Sequence, residues 1–209
     1  EIAKISQLQR IRYTTSHPKD MTEDLIDTYK ISKKLMPLLH LPVQTGSNNI
    51  LKLMNRKHNI EEYLLVYKKL KKINQNIEFS SDFIVGYPGE SNQDYRDTLK
   101  LINKINFVNS YSFIYSPRPG TTAANLRVID KVEAEKTLKV IQNQLFKNQI
   151  NKNKSLEGQI VKVLVENRMK DKIKLFGRTE HMVSVIFNGS EKIVGKIVQV
   201  RINSSNQNS

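Results

Sequence analysis

Apolar and polar residues follow two different periods in the first 115 residues of this chain. Short apolar runs bounded by polar, Gly or Pro residues predict strands at residues 11–15, 38–43, 77–85 and 110–115. The segments between these runs carry apolar residues at helical spacing. Strands that alternate with helices are typical of parallel β/α units, so the pattern predicts about four parallel strands with their associated helices.

Capping residues indicate where the helices of this region begin. Asn59 is followed three residues later by Glu62, and Ser91 by Asp94, which is the spacing of a capping box. Thr22 precedes an acidic first turn and predicts a further helix start, with apolar residues up to residue 35 on one side. We also expect a short helix around residues 50–54. These helices all lie between predicted strands.

The pattern changes after residue 116. Apolar positions at helical spacing predict one long helix over residues 131–154. Four short alternating runs follow it, at residues 160–165, 173–176, 183–187 and 193–202. Such runs, separated by polar turns, predict a small antiparallel β-barrel of the oligonucleotide-binding type. We therefore expect an α/β domain at residues 1–154 and a β-barrel at residues 155–209 that lacks its last strand.

The chain is strongly basic and contains no cysteine. Its 34 Lys and Arg residues exceed its 20 Asp and Glu residues, which gives a formal net charge of +14. This surplus makes a polyanion such as nucleic acid the first partner to consider, and solvated lysines are the alternative explanation. Without cysteine the chain has no disulfide, thiolate metal site or Cys nucleophile. No apolar run reaches the ~18 residues of a membrane span, so we expect no membrane partner and a cytoplasmic location.

Two predicted strands end in polar loops that contain glycine. Gly86 and Gly89 follow the third strand, where a missing Cβ lets the backbone approach a ligand. Residues 44–47 have the same design after the second strand. Because the carboxyl ends of parallel strands lie at one edge of a sheet, we expect both loops to face one ligand site. Asp82 lies within the third strand, where a carboxylate either faces this site or forms a structural pair.

The four histidines give no indication of a metal site. His17, His40, His58 and His181 show neither the i, i+4 spacing of helical metal ligands nor an adjacent carboxylate pattern. His17 precedes a proline and is interpreted as a turn residue. We therefore predict no metal ion bound by the protein itself.

Five segments carry a resemblance to a known family. They are YTTSHP at residues 13–18, HLPVQTGS at 40–47, LMNRKH at 53–58, SDFIVGYPGE at 81–90 and YSPRPGT at 115–121. Their order and spacing resemble those of the radical-SAM tRNA methylthiotransferases of the MiaB type. Residues 156–202, with GRTE at 177–180, look like the RNA-binding TRAM domain of that family. The resemblance implies an incomplete radical-SAM (β/α) barrel followed by a TRAM domain.

The resemblance also implies an activity. Enzymes of this family attach a methylthio group to the 2-position of N6-isopentenyladenosine beside the anticodon of tRNA. They use S-adenosylmethionine as methyl donor and as the source of a 5′-deoxyadenosyl radical, together with two [4Fe-4S] clusters held by cysteines. This chain has none of those cysteines. We expect the family's N-terminal domain and first two barrel strands to be missing, and the isolated chain to be inactive.

The partners that the resemblance implies are the tRNA anticodon loop, an electron donor such as a flavodoxin or ferredoxin, and the missing N-terminal part of the same enzyme. The complete protein is expected to be a monomer. Two functions of other classes stay open, namely a stand-alone RNA-binding module and a decayed remnant of a gene. Related enzymes modify N6-threonylcarbamoyladenosine or an aspartate of a ribosomal protein, and the segments at residues 14–18 and 118–120 favour the tRNA-modifying branch over the latter.

Site residues follow from the resemblance, motif by motif. Gln44 and Asp82 are expected at the reacting site. The residues expected to bind the cofactor are Gln44, Ser47, Arg56, Gly86, Gly89, Glu90 and Ser116. The residues expected to bind RNA are Arg118, Lys172, Lys174, Arg178, Lys196 and Arg201. A turn that satisfies its own backbone is the competing interpretation for the two loops, and simple exposure is the competing one for Arg56.

Overall fold

The computed structural model describes residues 1–15, 17–170 and 173–206. Its first part contains α1 (Glu23–Ile31), β1 (Leu38–His40), α2 (Asn48–Leu53), α3 (Ile60–Ile73), β2 (Glu78–Ser80), β3 (Asp82–Val85), α4 (Asn92–Ile105), β4 (Tyr111–Ile114) and α5 (Lys131–Lys154). Its second part contains β5 (Ile160–Arg168), β6 (Lys174–Thr179), β7 (Ser184–Asn188) and β8 (Ile197–Arg201). Short 3-10 helices lie at Ile2–Lys4, Pro18–Asp20, Thr122–Asn125 and Glu191–Ile193.

The parallel strands of the first part are shorter than the pattern predicts. β1 pairs with β2, and β3 pairs with β4, in parallel in both cases. The predicted strand at residues 38–43 ends at His40, because Pro42 has no N–H to donate and the Val43 N–H donates to the Ser81 hydroxyl at 2.9 Å. A further bridge between Gln44 and Phe83 continues the pairing towards the loop.

The prediction of a regular strand at residues 11–15 is wrong. Only two isolated bridges form there, from Ile11 to Leu35 and from Thr14 to His40. Leu35, which was expected on the apolar side of α1, lies beyond the end of that helix and instead pairs with Ile11. The segment therefore borders the sheet at two points.

The capping predictions are confirmed where a capping box was expected. Asn59 caps α3 with Glu62, and Ser91 caps α4 with Asp94, each with both hydrogen bonds of the box. Thr22 is the N-cap residue of α1, but its side chain makes no capping hydrogen bond to the helix backbone. The long helix at residues 131–154 is present over its predicted length.

The core of the first part is rich in aromatic residues. Tyr63, Phe79, Phe83 and Phe107 are almost completely buried between the strands and helices. The Phe83 and Phe107 rings meet edge to face, with their centroids 5.3 Å apart. The buried Tyr63 hydroxyl donates to the Leu41 carbonyl at 2.9 Å, which satisfies the polar end of that ring. This packing holds the strands that carry the loops of the site.

The second part is an antiparallel sheet with the strand order β7-β6-β5-β8. Its small core is built around Val163, Val185 and Ile202. A register shift between Val165 and Asn167 bends β5, as a bulge does. The predicted fold class, α/β followed by a small antiparallel barrel, is confirmed.

Hydrogen bonds from several side chains join the two parts. The Arg10 guanidinium donates to the Arg178 and Lys162 carbonyls, both at 2.9 Å. His181 places its Nε2 atom 2.8 Å from the Asn76 carbonyl. The Asn109 amide donates to the His181 carbonyl at 3.0 Å. Within the described ranges, no helix combines the length and the apolar character of a membrane span.

Candidate functional site

A cavity of about 650 Å³ lies beside β3, β4 and the loops that follow them. Five predicted site residues line it, namely Gln44, Arg56, Asp82, Ser116 and Arg118. Apolar side chains form another part of its wall, among them Met54, Ile84, Tyr87 and Phe113. A cavity of this size, with an apolar wall and a few polar groups, is typical of a small-molecule site.

Gln44 is held in position by its own backbone. Its N–H donates to the Asp82 carbonyl at 3.0 Å, and its carbonyl accepts the Ile84 N–H at 2.8 Å. Its φ of 73° lies in the left-handed region, which costs a residue other than glycine roughly 1 kcal/mol. The hydrogen bonds to β3 on both sides of the residue maintain this backbone conformation, and Gln44 and Asp82 line the same cavity.

Asp82 gives the cavity one anionic group, and Arg56 and Arg118 give it two cationic groups. The Asp82 carboxylate lies 3.5 Å from His40 Nε2, and His40 Nδ1 lies 2.9 Å from the Ser80 hydroxyl. Burial lowers the pKa of the Arg56 guanidinium, and the charge of Asp82 partly offsets this effect. Opposite charges on one cavity wall suit a ligand that itself carries both signs.

Ser47 lies outside this cavity and serves the local structure. Its hydroxyl accepts the Ile50 N–H at 3.3 Å at the start of α2 and donates to the Asp94 carboxylate. Burial raises the pKa of Asp94, but hydrogen bonds from Ser47 and Ser91 outweigh it and hold that pKa below its usual value. The contact of Ser47 with a cofactor stays a prediction, and the position of Ser47 outside the cavity does not favour it.

The turn from Gly86 to Glu90 also folds back on itself. Gly86 and Gly89 have φ values of 72° and 86°, a region that glycine enters without strain. The Glu90 carboxylate accepts the Gly86 N–H, and burial raises the pKa of Glu90 to about 7. A Cβ on Gly86 would lie 3.1 Å from the Ala134 side chain. These glycines and Glu90 shape the loop behind the cavity and do not line it.

The predicted RNA-binding residues are distributed over several surfaces. Arg118 lines the cavity described above, and Lys196 is exposed. Lys174 and Arg201 line a cavity of about 510 Å³ together with Phe187. Lys172 lies outside the described residues, as does Ser16 of the YTTSHP segment.

Arg178 is more constrained than its motif indicates. It is paired with the Glu166 carboxylate, and its guanidinium lies 4.9 Å from the centroid of the Phe176 ring. Because the pair is only partly exposed, RNA would have to compete with Glu166 for this cation.

The residues that sequence reasoning missed are two of the histidines. The His17 and His58 rings meet edge to face with centroids 4.8 Å apart, although 41 positions separate them in the chain. In the sequence, the only indication of this contact is that both histidines lie in polar loops next to predicted strands. Within the ranges that the structure describes, no group of three or more metal-binding side chains occurs.

Comparison with known families defines the class of the protein. The Radical SAM superfamily matches residues 1–102, and the TRAM domain matches residues 154–209. The fold is similar to that of coproporphyrinogen III oxidase (HemN) from Escherichia coli, a radical SAM enzyme, with a TM-score of 0.52 at 19% identity. That similarity covers 64% of this chain and 31% of the oxidase. The chain thus combines a radical-SAM fold with a TRAM domain.

Sequence relatives narrow this class to a family. The chain is 66% identical over all 209 residues to the tRNA-2-methylthio-N(6)-dimethylallyladenosine synthase of Pelagibacter ubique (strain HTCC1062), of which it covers 47%. It is 47% identical to the enzyme of that name from Wolbachia pipientis subsp. Culex pipiens (strain wPip), covering 48% of it. Over all 209 residues the chain is thus similar to radical-SAM tRNA methylthiotransferases, as the resemblance predicted. The chain spans about half the length of these curated relatives.

Proposed function

We propose that this chain provides the ligand-facing part of an enzyme that methylthiolates the 2-position of N6-isopentenyladenosine in tRNA. One observation carries the proposal. The cavity beside β3 and β4 brings together Gln44, Arg56, Asp82, Ser116 and Arg118 from four separate segments, in a chain that is 66% identical to a relative named for that product. The division into domains at residue 154 is part of the same proposal.

The cavity suits S-adenosylmethionine, which has a carboxylate, an ammonium group, a sulfonium and an adenine ring. Arg56 would pair with the carboxylate, and Asp82 would accept hydrogen bonds from the ammonium or ribose groups. Ile84 and Tyr87 offer apolar surface to the adenine. When bound there, S-adenosylmethionine supplies a methyl group and a 5′-deoxyadenosyl radical.

The residues of this chain do not fit an iron–sulfur cluster. The sequence has no cysteine, and cluster irons are held by thiolates, so no step of the chemistry is assigned to a cluster here. The family implies iron–sulfur clusters in the whole enzyme, and we propose two, with ligands from another polypeptide segment. Reduction by a flavodoxin or ferredoxin, a cytoplasmic location and a monomeric whole enzyme belong to the same proposal.

Gln44 and Asp82 would orient the reacting groups, because both are fixed by the backbone of β3 and face the same cavity. Arg118 would contact the RNA at the mouth of the site. The cations of the second part, Lys174, Lys196 and Arg201 among them, would hold the RNA backbone by charge. Substrate orientation and RNA anchoring would thus lie in different parts of the chain.

The proposal is tested by supplying the cysteine ligands of the iron–sulfur clusters from another polypeptide segment. Fusing this chain to the remaining part of the Pelagibacter relative should give an enzyme that forms the methylthiolated nucleoside, measured by mass spectrometry of digested tRNA. In that fusion, Asp82→Asn and Gln44→Ala should each lower turnover about 100-fold or more while tRNA affinity changes less than threefold.

The matched control is Asp27→Asn, which removes an exposed carboxylate on α1 and should leave turnover unchanged. An active fusion in which Asp82→Asn and Gln44→Ala behave like this control would contradict the site assignment. The reacting site of the enzyme would then have to lie away from this cavity.

A stand-alone RNA-binding module is the second candidate function. The match to the TRAM domain over residues 154–209 and the cavity with Lys174 and Arg201 favour it. The two functions differ in one measurement. A module would bind tRNA with the same affinity with or without S-adenosylmethionine, and the fusion would form no methylthiolated product.

A further inference from the structure

A second groove, of about 390 Å³, lies next to the candidate site at the junction of α2 and α3. The residues that line it are Asn48, Lys52, Asn55, Arg56, Lys57, His58, Asn59 and Glu62. Asn55 and Arg56 also line the first cavity. The two spaces are therefore neighbours that share the Arg56 side chain as a wall.

The groove has more cationic than anionic groups available to a ligand. Lys52 and Arg56 make no ion pair with any of the described residues, and Lys57 Nζ donates to the Asn55 side chain at 2.8 Å. Glu62 is the one carboxylate on the wall as described, and it accepts the Asn59 N–H at 3.1 Å in the capping box. Its charge is engaged at the start of α3, so the net field of the groove is positive.

A turn at Asn55 brings these cations together. Asn55 has a φ of 54°, in the left-handed region. Its N–H donates to the Lys52 carbonyl at 3.0 Å, and the Arg56 N–H donates to the Leu51 carbonyl at 2.8 Å, which closes the end of α2. The chain reverses at this point, so Lys52 before the turn and Lys57 after it line one groove.

A buried histidine with an unused nitrogen forms the floor of the groove. The His58 residue is only 6% exposed, and its Nε2 atom has no hydrogen-bond partner among the residues that the structure describes. Its Nδ1 atom lies 3.4 Å from His17 Nε2, and His17 Nδ1 accepts the Lys19 N–H at 3.1 Å. Burial and the charges of His17 and Arg56 lower the pKa of His58 to about 4, so this ring is neutral.

The groups around His17 also respond to charge. Burial, Arg56 and Lys19 lower the pKa of His17, and Asp20 raises it. An anion placed in the groove would offset the two cations and raise the pKa of His17. The His17 ring is therefore a suitable NMR probe for an anion next to Arg56.

We propose that this groove binds a phosphate of the RNA backbone beside the nucleotide that enters the candidate site. The inference rests on the proposed function. A phosphodiester fits because the groove is open and offers lysine side chains, whereas the Ile60 and Glu62 N–H groups at the start of α3 already donate to the Asn48 and Asn59 side chains. Continuity through Arg56 would place the bound phosphate next to the cavity that receives the base.

The experiment measures RNA binding by the whole chain as a function of salt. The probe is a short RNA hairpin whose loop contains N6-isopentenyladenosine. Lys52→Gln combined with Lys57→Gln should weaken binding about tenfold at low salt and reduce the log–log salt slope by about 0.7 to 1.4, the value for one or two single-strand phosphate contacts. The matched control is Lys68→Gln with Lys72→Gln, which removes the same charge from exposed positions on α3.

The possible outcomes separate this inference from the function on which it rests. If the parent chain binds the hairpin and the groove variant behaves like the control variant, the phosphate site is refuted and the proposed function is untouched. If the parent chain binds no RNA at any salt, both fail.

A second measurement does not depend on the variants. In the parent chain the hairpin should raise the pKa of His17, followed by the NMR shifts of its ring. A response to inorganic phosphate but not to the hairpin would identify a site for small anions and overturn the assignment to RNA.

Discussion

The two parts of this molecule use their side chains in opposite ways. The first part encloses large aromatic residues, and four of them, including Tyr63 and Phe83, are almost completely buried. The core of the second part consists of small aliphatic residues such as Val163 and Val185, and Phe176 and Phe187 are only partly buried. The first part therefore holds its polar side chains in fixed positions, whereas the second part presents charged side chains on a sheet with a small core.

Buried polar groups follow the same division. Most of those among the described residues lie in the first part, where Thr45 is bonded to Thr98 at 3.1 Å and Ser47 to Asp94. Exposed ion pairs occur in both parts, such as Lys30 with Asp27 in the first and Arg168 with Glu191 in the second, each at 2.7 Å. Buried hydrogen bonds specify one geometry, whereas exposed pairs contribute about 0 to 1 kcal/mol and exchange easily for another partner.

Two glycines test whether these parts unfold as separate units. A Cβ at Gly46 would lie 2.5 Å from the Asp97 carbonyl oxygen, and one at Gly177 would lie 2.3 Å from the Leu164 carbonyl oxygen. Gly46→Ala should destabilise the first part, and Gly177→Ala the second part, by about 3 kcal/mol each, because backbone atoms cannot move aside cheaply. Hydrogen exchange measured by mass spectrometry would locate the loss of protection.

The control for both is Gly120→Ala. Gly120 has a φ of 83°, but a Cβ added there would meet no atom within 4 Å, so only the backbone conformation is strained, by roughly 1 kcal/mol. Equal loss of protection in both parts after either substitution would show that they unfold together.

Glu90 should make the stability of the first part sensitive to pH. Its pKa rises from the usual 4.5 to about 7 on folding, so the protonated carboxyl is favoured in the folded state. This contribution is fully present below pH 4.5 and is lost as the pH rises through 7, with an expected loss of about 2 kcal/mol. Glu90→Gln should remove this dependence, as seen by chemical denaturation across the pH range. A variant with an unchanged pH profile would contradict the assignment.

Ser47 distinguishes a structural residue from a ligand-binding one within the same loop. Ser47→Ala removes the α2 cap and the hydrogen bond to Asp94, and should lower the free energy of unfolding by about 1 kcal/mol. Binding of S-adenosylmethionine, measured by calorimetry in the fused enzyme, should be unchanged, whereas Asp82→Asn should weaken it. Loss of cofactor affinity in Ser47→Ala at normal stability would restore Ser47 to the site.

Arg10 tests the coupling between the two parts and should give the smallest effect. Arg10→Ala removes two hydrogen bonds to the carbonyls of Lys162 and Arg178, which are together worth roughly 1 kcal/mol. Protection in the second part should fall while the core around Phe83 is unaffected. Arg12→Ala, at an exposed residue two positions away, is the control. Identical exchange profiles for both variants would mean that Arg10 does not couple the parts.

Features that depend on neighbours in the chain could be predicted from the sequence. The capping boxes at Asn59 and Ser91 and the full extent of α5 follow from signals within a few residues. The strand expected at residues 11–15 could not be corrected in this way, because its pairing depends on residues that lie beyond α1. Local apolar character was sufficient for two bridges but not for a ladder.

The same distinction between local and long-range features applies to the candidate site. The convergence of Gln44 and Asp82 follows from parallel strand order, which the sequence reveals. The inward turn of Ser47 depends on Asp94, 47 positions away, and the contact of His17 with His58 spans 41 positions. No local pattern encodes such contacts, so the structural role of Ser47 and the histidine pair became visible only in the folded chain.

The contact between Arg10 and the second part has a consequence for how the protein is made. Arg178 is synthesised 168 positions after Arg10, and both carbonyl acceptors of Arg10 lie in the part that is translated later. At roughly 5 to 20 residues per second, Arg10 waits on the order of 10 to 30 s for its partners. During that interval the neighbouring segment at residues 11–15 is held by contacts within the first part, among them its bridges to Leu35 and His40. The TRAM domain therefore adds the two hydrogen bonds of Arg10 only after translation has passed residue 178, so the first part acquires this support after its own residues have been synthesised.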